Sequence, residues 1–312
     1  TYKGEDILLD TYLTYEINEN HNVSVGYQYE RQWYGLKTPD GNDEADQYLS
    51  DYYAEWKGQV GDITLTAQGR FNDNEHAKSR STWSAGISSP VNQTGFTLRA
   101  NTSTGFRIPS LYERFGSFLT SFGRFEVGNS GLSPERSTSV DGGVTWGNDK
   151  DSEAGITFFR NEVENKVDFV GFSYSNVEGK DSSYGTEAYF ERYVKDWFLG
   201  RLSYTYTRGD LVLNTPKHIA SATLRFFVEK LIANLRLSHV GQHEILAFNL
   251  DTFTVDRLKE DEYVRGDITL SYSVRKDVEV YARVENVWDE EYKDGGYRGQ
   301  PFSVYGGVKW SF

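Results

Sequence analysis

The chain has 312 residues, 33 basic against 46 acidic side chains and a formal net charge of −13, with neither Cys nor Met. The missing thiols exclude disulfide frameworks, zinc–thiolate sites, iron–sulfur clusters and cysteine nucleophiles, and the acidic balance argues against nucleic acid as a partner. No segment offers the ~18–20 consecutive apolar residues of a membrane-spanning helix, while 22 Tyr, 19 Phe, 7 Trp and 30 Gly are too many rings for a disordered chain.

Taken in chain order, the segments show strict period-2 alternation, the mark of strands with two different faces. Asp6–Asn18 reads as a first strand. In 63–71, Ile63, Leu65, Ala67 and Phe71 oppose Thr64, Thr66, Gln68 and Arg70. In 96–106, Phe96, Leu98, Ala100 and Phe106 oppose Thr97, Arg99, Asn101 and Ser103. The same pattern recurs in 198–207, in 264–274 and in 302–312, where Phe302, Val304, Val308, Trp310 and Phe312 share one side. Helical spacing fits none of these windows, so the expected fold is all-β.

Connection lengths alternate as well. Short polar turns at 18–22, 58–62, 147–151, 194–196 and 274–277 are separated by longer segments at 36–46, 73–79, 108–134, 241–262 and 286–300. Tight turns on one rim and long loops on the other predict a transmembrane antiparallel β-barrel, with apolar alternate residues toward lipid and polar ones toward a lumen. Arg70, Arg99, Arg107, Arg201, Arg225 and Arg283 fall on the polar parity. Trp33, Tyr34, Trp56, Trp146, Trp197 and Trp310 would suit the aromatic girdles. About fifteen strands are counted, each of the ~9–11 residues or more that a tilted span needs. Single-chain bacterial barrels have even strand numbers, and Thr1 looks like a processed or truncated start. Residues 1–312 are therefore expected to form one domain, the later part of a larger barrel.

Three segments resemble a known family. Ala282-Arg-Val-Glu-Asn-Val-Trp-Asp-Glu-Glu-Tyr292 with Gly296–Pro301 is similar to the closing strands of TonB-dependent outer-membrane receptors. There Val287-Trp288 stands for a Leu-Phe pair and Gln300-Pro301-Phe302 departs from Pro-Gly-Arg. Gly105-Phe-Arg-Ile-Pro-Ser-Leu-Tyr-Glu-Arg114 and Asn129-Ser-Gly-Leu-Ser-Pro-Glu-Arg136 resemble two further stretches of that family, closest to its cobalamin and siderophore branch. The final Tyr305-Gly-Gly-Val-Lys-Trp-Ser-Phe312 resembles a barrel-assembly signal, with Tyr305, Val308, Trp310 and Phe312 as its marks. The resemblance implies a barrel of roughly 22 strands, about fifteen of them here, holding a plug domain that is not found in this sequence. It implies bacterial outer-membrane localisation, and capture of cobalamin or a ferric siderophore by extracellular loops. Import would be driven by the TonB complex acting through the plug. The barrel-assembly machinery, outer-membrane lipid and lipopolysaccharide would be its other partners. A passive porin-like channel, a barrel enzyme and an engineered barrel are the alternatives.

Loop 108–134 is the main candidate for ligand contact. It pairs rings with cations (Tyr112, Arg114, Phe115, Phe118, Phe122, Arg124, Phe125), a combination suited to a planar or anionic small-molecule chelate. Trp288, Tyr297 and Arg298 form a second candidate. Arg99, Arg107 and Glu113 are expected at the lumen or its rim, facing a plug. Asp40, Asn42 and Glu44 place oxygens at alternate positions and suggest loop-bound calcium, although the sixth and twelfth positions of that reading are Ala45 and Asp51 instead of Gly and Glu. No other cofactor is expected. His239 and His243 would lie ~13 Å apart on a strand, too far to share a metal. No nucleophile motif such as Gly-x-Ser-x-Gly occurs, so no catalytic residue is assigned.

Overall fold

The computed structural model describes all residues except Thr1, 39–40, 76–78, 121–122, 148–150, 211–214 and 250–253. Fifteen strands follow one another in a single hydrogen-bonded sheet. They begin with β1 (Tyr2–Asn18), β2 (His21–Thr38), β3 (Gly41–Val60), β4 (Ile63–Asn74), β5 (Arg80–Val91) and β6 (Phe96–Arg107). A short helix α1 (Leu111–Phe115) and a hairpin of β7 (Ser117–Thr120) and β8 (Gly123–Glu126) follow. The sheet resumes with β9 (Glu135–Gly147) and β10 (Ser152–Glu164), and a second hairpin pairs β11 (Val167–Val170) with β12 (Ser173–Asn176). Then come β13 (Lys180–Val194), β14 (Phe198–Gly209), β15 (His218–Val228) and β16 (Leu231–Val240). A third hairpin, β17 (His243–Asn249) with β18 (Thr254–Glu260), precedes β19 (Tyr263–Arg275) and β20 (Val278–Glu285). Last are the two-residue strands β21 (Lys293–Asp294) and β22 (Tyr297–Arg298), and β23 (Ser303–Trp310). The count of fifteen sheet strands is the one the alternation predicts.

Contacts divide the chain into two units. The first comprises Thr1–Pro90, Arg99–Asp141 and Arg160–Ser182, and the second Val91–Leu98, Gly142–Phe159 and Ser183–Phe312. Within the first unit the registers separate two faces. Asp10, Gln28 and Asp51 share one side, since Asp10 pairs with Gln28 and Gln28 with Asp51. On that side Asp51 accepts hydrogen bonds from Arg70 and Asn72, and Gln47 Nε2 donates to Gln32 Oε1 at 2.6 Å. The other side carries Tyr27, Tyr52, Phe71, Ala67 and Trp83.

The second unit repeats the division. Leu224, Leu235, Ile268, Val284 and Val304 form one apolar rung across five strands. That side stays open, with Leu202 53%, Val304 61% and Val308 66% exposed. Burying such a side chain is worth about 1.5–3 kcal/mol, so a whole face left bare in this way is one for which hydrocarbon is the solvent. The alternate side holds Arg201, Thr223, Arg225, Asn234, Arg236 and Arg283. Trp197, Phe198 and Phe226 cluster beside a short turn, with ring centroids 5.0–6.3 Å apart.

Tight turns close where the backbone can turn left-handed, as at Gly61 (φ +60°) and Glu229 (φ 52°). Within the predicted long connection 36–46, residues 36–38 and 41–46 are instead strand. Leu36 pairs with Asp43 and Thr38 with Gly41, so β2 and β3 run on through a polar stretch whose two faces are alike and therefore show no alternation. Conversely, 165–179 is a long connection with its own hairpin, which the alternation does not single out. Tyr34 is buried against Tyr112 and lies outside any girdle.

Candidate functional site

The best-built site lies in the first unit, where loop 108–134 folds back on itself. Ser110 caps α1. Its hydroxyl accepts from Glu113 N (3.2 Å) while its own backbone N–H donates to Glu113 Oε2 (2.7 Å), a reciprocal capping box. Glu113 also receives Arg107 Nη1 at 2.8 and 3.1 Å. The same guanidinium donates through Nε and Nη2 to Glu135, at 2.9 and 2.8 Å. One arginine thus ties the end of β6, helix α1 and the start of β9 together, and Glu135 Oε1 accepts Val167 N (2.7 Å) from the β11–β12 hairpin. Burial alone would raise the Glu113 carboxyl, but the hydrogen bonds from Arg107 and Ser110 outweigh it and hold it below the usual glutamate value.

The hairpin is stitched to the loop along its length. Gly116 O accepts both Val127 N and Gly128 N (3.0 and 2.9 Å), Val127 O accepts Tyr174 N (2.9 Å), and Asn129 Nδ2 donates to Tyr174 O (3.0 Å). Asn176 Nδ2 donates to Ser133 O and Asn165 O, at 2.9 and 2.8 Å. Tyr112 stands edge-on to Tyr34 (6.1 Å) and to Tyr174 (6.2 Å), whose hydroxyl burial pushes up. Leu111, Val127 and Leu132 fill the small core beneath.

The structure separates the sequence candidates by role. Arg114 is buried. Its Nη2 donates to Ser130 O at 3.1 Å, its guanidinium lies 5.2 Å from the Phe115 ring centroid, and burial draws its pKa down. Phe118 and Phe125 are stacked at 6.0 Å and exposed, and Arg124 is anchored by Asp43, which also accepts the Ser117 hydroxyl at 2.7 Å. Phe122 lies outside the described residues. Arg99 is exposed on the polar parity of β6, two residues from Asn101, whose Nδ2 donates to Asp141 Oδ2 at 2.9 Å.

Asn42 and Glu44 are exposed on β3, and Asp40 lies outside the described residues. Among the described residues no three His, Cys, Asp or Glu side chains are arranged to hold a metal.

In the second unit, Asn286 is fully buried. Its Nδ2 donates to Glu290 O (2.9 Å) and Gln300 O (3.0 Å), and its Oδ1 accepts Glu290 N (2.9 Å). Trp288 donates from Nε1 to Val264 O (2.7 Å) and lies over Gly266, where a Cβ would meet the ring at 2.4 Å. Tyr297 is exposed, and Arg298 pairs with Glu291 at 3.1 Å. His243, buried, meets Glu260 at 3.2 Å, whose carboxylate also accepts Gly295 N and Gly296 N (3.2 and 2.7 Å). His239 has a different acidic neighbour, Glu262 at 3.5 Å. On the last strand, Tyr305 accepts from Gln300 Nε2 (2.7 Å), Trp310 donates to Asp277 Oδ2 (3.2 Å), and Val308 and Phe312 are exposed.

Glu135, Tyr174, Phe169 and the whole β11–β12 hairpin escape sequence reasoning. The only trace of their partnership is the Asn129-x-Gly-Leu-x-Pro stretch, whose Asn129 and buried Leu132 do the clamping.

A long antiparallel sheet with one bare apolar face, alternating connection lengths and hairpin-bearing loops defines an outer-membrane β-barrel. Residues 1–287 match the family described as TonB dependent receptor-like, beta-barrel, and the chain belongs to that family. It is 22% identical to the vitamin B12 transporter BtuB of Vibrio cholerae, an alignment covering 96% of this chain and 48% of that one. The chain thus spans about half the length of the curated relatives it matches. Its fold superposes on the siderophore receptor PirA of Acinetobacter baumannii with a TM-score of 0.80 at 16% identity, covering 100% of this chain and 55% of that one. A variant of the ferric enterobactin receptor PfeA of Pseudomonas aeruginosa gives 0.81 at 16% identity, covering 100% and 54%.

Proposed function

We propose that this chain is the barrel portion of an active-transport receptor that captures cobalamin or a ferric siderophore at its extracellular loops and imports it with energy from the TonB complex. The observation that carries the reading is the loop platform on Arg107. A base of α1, Glu135 and the β11–β12 hairpin underlies the β7–β8 hairpin, one face of which carries stacked, exposed Phe118 and Phe125, while Arg124 on the other face anchors the hairpin to Asp43. Rings on a fixed base suit a planar chelate at low ordering cost. Phe169 and Phe172 are exposed on the β11–β12 hairpin and offer further rings. Family membership supports a receptor without covalent chemistry, and no catalytic residue is assigned. Arg99, Arg107 and Glu113 stand on the lumen parity or at its rim, where a plug would meet them. Trp288, Tyr297 and Arg298 form a second contact region, and Tyr305, Val308, Trp310 and Phe312 are offered to the barrel-assembly machinery.

The test is equilibrium binding of cyanocobalamin and of a panel of ferric chelates to the receptor carrying this chain. Uptake by cells with and without TonB is measured in parallel. Binding that falls at least tenfold in a Phe118→Ala, Phe125→Ala double variant, with uptake that requires TonB, supports the reading. Ligand-independent conductance in planar bilayers with no saturable binding replaces it with a passive pore.

A further inference from the structure

The first rung of the β17–β18 ladder is a pair of titratable side chains withdrawn from water. His243 stands directly opposite Glu260, 3.2 Å away, and the two side chains are only 5% and 2% exposed. Glu260 reaches beyond its own hairpin. Its oxygens accept Gly295 N (3.2 Å) and Gly296 N (2.7 Å), successive left-handed residues (φ +61° and +87°) at the turn of β21–β22. Two successive N–H groups aimed at one carboxylate make a small anion-binding concavity. Ile245, 2% exposed, packs beside it, since a Cβ on Gly296 would meet Ile245 Cδ1 at 3.4 Å. The hairpin held in this way carries Tyr297, 81% exposed, and Arg298.

Both ring nitrogens of His243 face acceptors. Nε2 meets Glu260 Oε2, and Nδ1 lies 3.3 Å from the carbonyl oxygen of Gly241. Carbonyl and carboxylate oxygens only accept, so both contacts are made only when the ring carries two protons. A neutral ring has one N–H and would turn a lone pair toward an oxygen where water does not reach. We propose that His243 is a proton-operated latch. Its doubly protonated ring holds Glu260, and through Glu260 the β21–β22 hairpin, against β17–β18, and loss of one proton frees that hairpin. It is thus a positioning residue for Tyr297 and Arg298.

Histidine is the side chain that changes charge between about pH 5 and 8, and the other groups around the pair are of other kinds or engaged elsewhere. On β17 and β18, Glu244 pairs with Arg257 at 3.7 Å and stands opposite Lys259, while Asp261 accepts Gln242 Nε2 at 3.2 Å. Ahead of β19, Glu262 pairs with His239 at 3.5 Å, and Tyr263 stacks on Tyr292 at 4.2 Å. On the held hairpin, Lys293 and Asp294 stand opposite Arg298 and Tyr297. From the β14–β15 connection, Asp210 and Lys217 line the cleft beside His243. His218, whose carbonyl accepts Gly241 N at 2.8 Å, has its ring on the Tyr204 hydroxyl. Among the described residues His243 and Glu260 form no ion pair except with each other.

The experiment uses the receptor carrying the full chain, without ligand. Hydrogen exchange of peptides covering 293–300 is followed from about pH 5.5 to about pH 8.5, each rate divided by its intrinsic value at that pH. The wild type is expected to lose about tenfold in protection of Gly295 and Gly296 as pH rises and the ring gives up a proton. His243→Gln keeps a donor toward Glu260 without the titrating charge, so it should stay at the wild type's high-pH protection throughout. His239→Gln and His218→Gln should retain the wild-type response. A wild-type protection that does not change with pH overturns the proposal. So does a response that persists in His243→Gln, or one that appears equally in the peptides covering 110–129. If His243→Gln does not fold, Glu260→Gln takes its place, and a pH response retained there overturns the latch. Only the use of Tyr297 and Arg298 as ligand contacts rests on the receptor reading, and exchange measured without ligand is independent of it.

Discussion

Replacing Glu113 by Ala tests whether the loop platform is held by the Arg107 cluster. The carboxylate accepts Arg107 at 2.8 and 3.1 Å, Ser110 N at 2.7 Å and Ser110 Oγ at 3.0 Å. Hydrogen bonds to a charged group are worth about 1.5–3 kcal/mol when water is excluded. The Arg107 side chain is 45% exposed, however, so its share is discounted to about 1 kcal/mol. The lost half of the capping box adds about 1 kcal/mol. The total of about 2 kcal/mol corresponds to roughly 30-fold more frequent local opening. Hydrogen exchange of the peptides covering 110–129 reads this directly, with the amides of Arg114, Gly116, Val127 and Asn129 as reporters. Glu113→Gln keeps the contacts to Ser110 and loses only the charge, so it should accelerate exchange about fivefold. A change below threefold in Glu113→Ala, or an equal effect of the Gln variant, would refute the reasoning.

Further outcomes follow from the same geometry. Because Glu113 is held below its unfolded value of 4.5, its contribution is complete above pH 4.5 and is lost as pH falls through the lowered folded value. Protection of 110–129 should therefore be flat above that pH and decline below it, a decline that Glu113→Gln should flatten. Gly128→Ala would place a Cβ within 2.6–2.7 Å of the backbone of Gly116, Phe115 and Arg114. It should cost about 1–3 kcal/mol of loop stability, seen as increased proteolytic nicking within 108–134. Asn286→Ala removes three side-chain hydrogen bonds and leaves buried partners unsatisfied, a loss of about 3 kcal/mol. The folded, heat-modifiable fraction on unheated gels should fall in urea well before that of the wild type. Trp288→Ala with Gly266 retained should loosen β19 at its loop end and speed exchange at Val287, whose N–H donates to Gly266 O. An unaltered rate there would separate the ring from the strand end.

Parity was legible in the sequence because it is local. Residues two apart on a strand share a side whatever the rest of the chain does. The alternation at 96–106 or 302–312 therefore already separates the face that meets hydrocarbon from the face that meets water, and it supports the count of fifteen strands. It failed at 36–46, where β2 and β3 leave the apolar layer and pair with polar residues on both sides, and at 165–179, where a hairpin is held by side chains distant in sequence. The candidate loop 108–134 was visible as a concentration of rings and arginines, but composition treats Arg114 and Arg124 alike. Only packing makes Arg114 an internal brace and anchors Arg124 on Asp43, on the hairpin face opposite the stacked phenylalanines. The sequence by itself thus determined the element type, the two faces and the family, all of which depend on spacings within a few residues. The tertiary structure alone decided the cluster of Arg107, Glu113 and Glu135, the clamp of Asn129 on Tyr174 and the burial of Asn286. Each of these depends on which distant loops meet, and that is fixed by strand register and side-chain packing across the sheet.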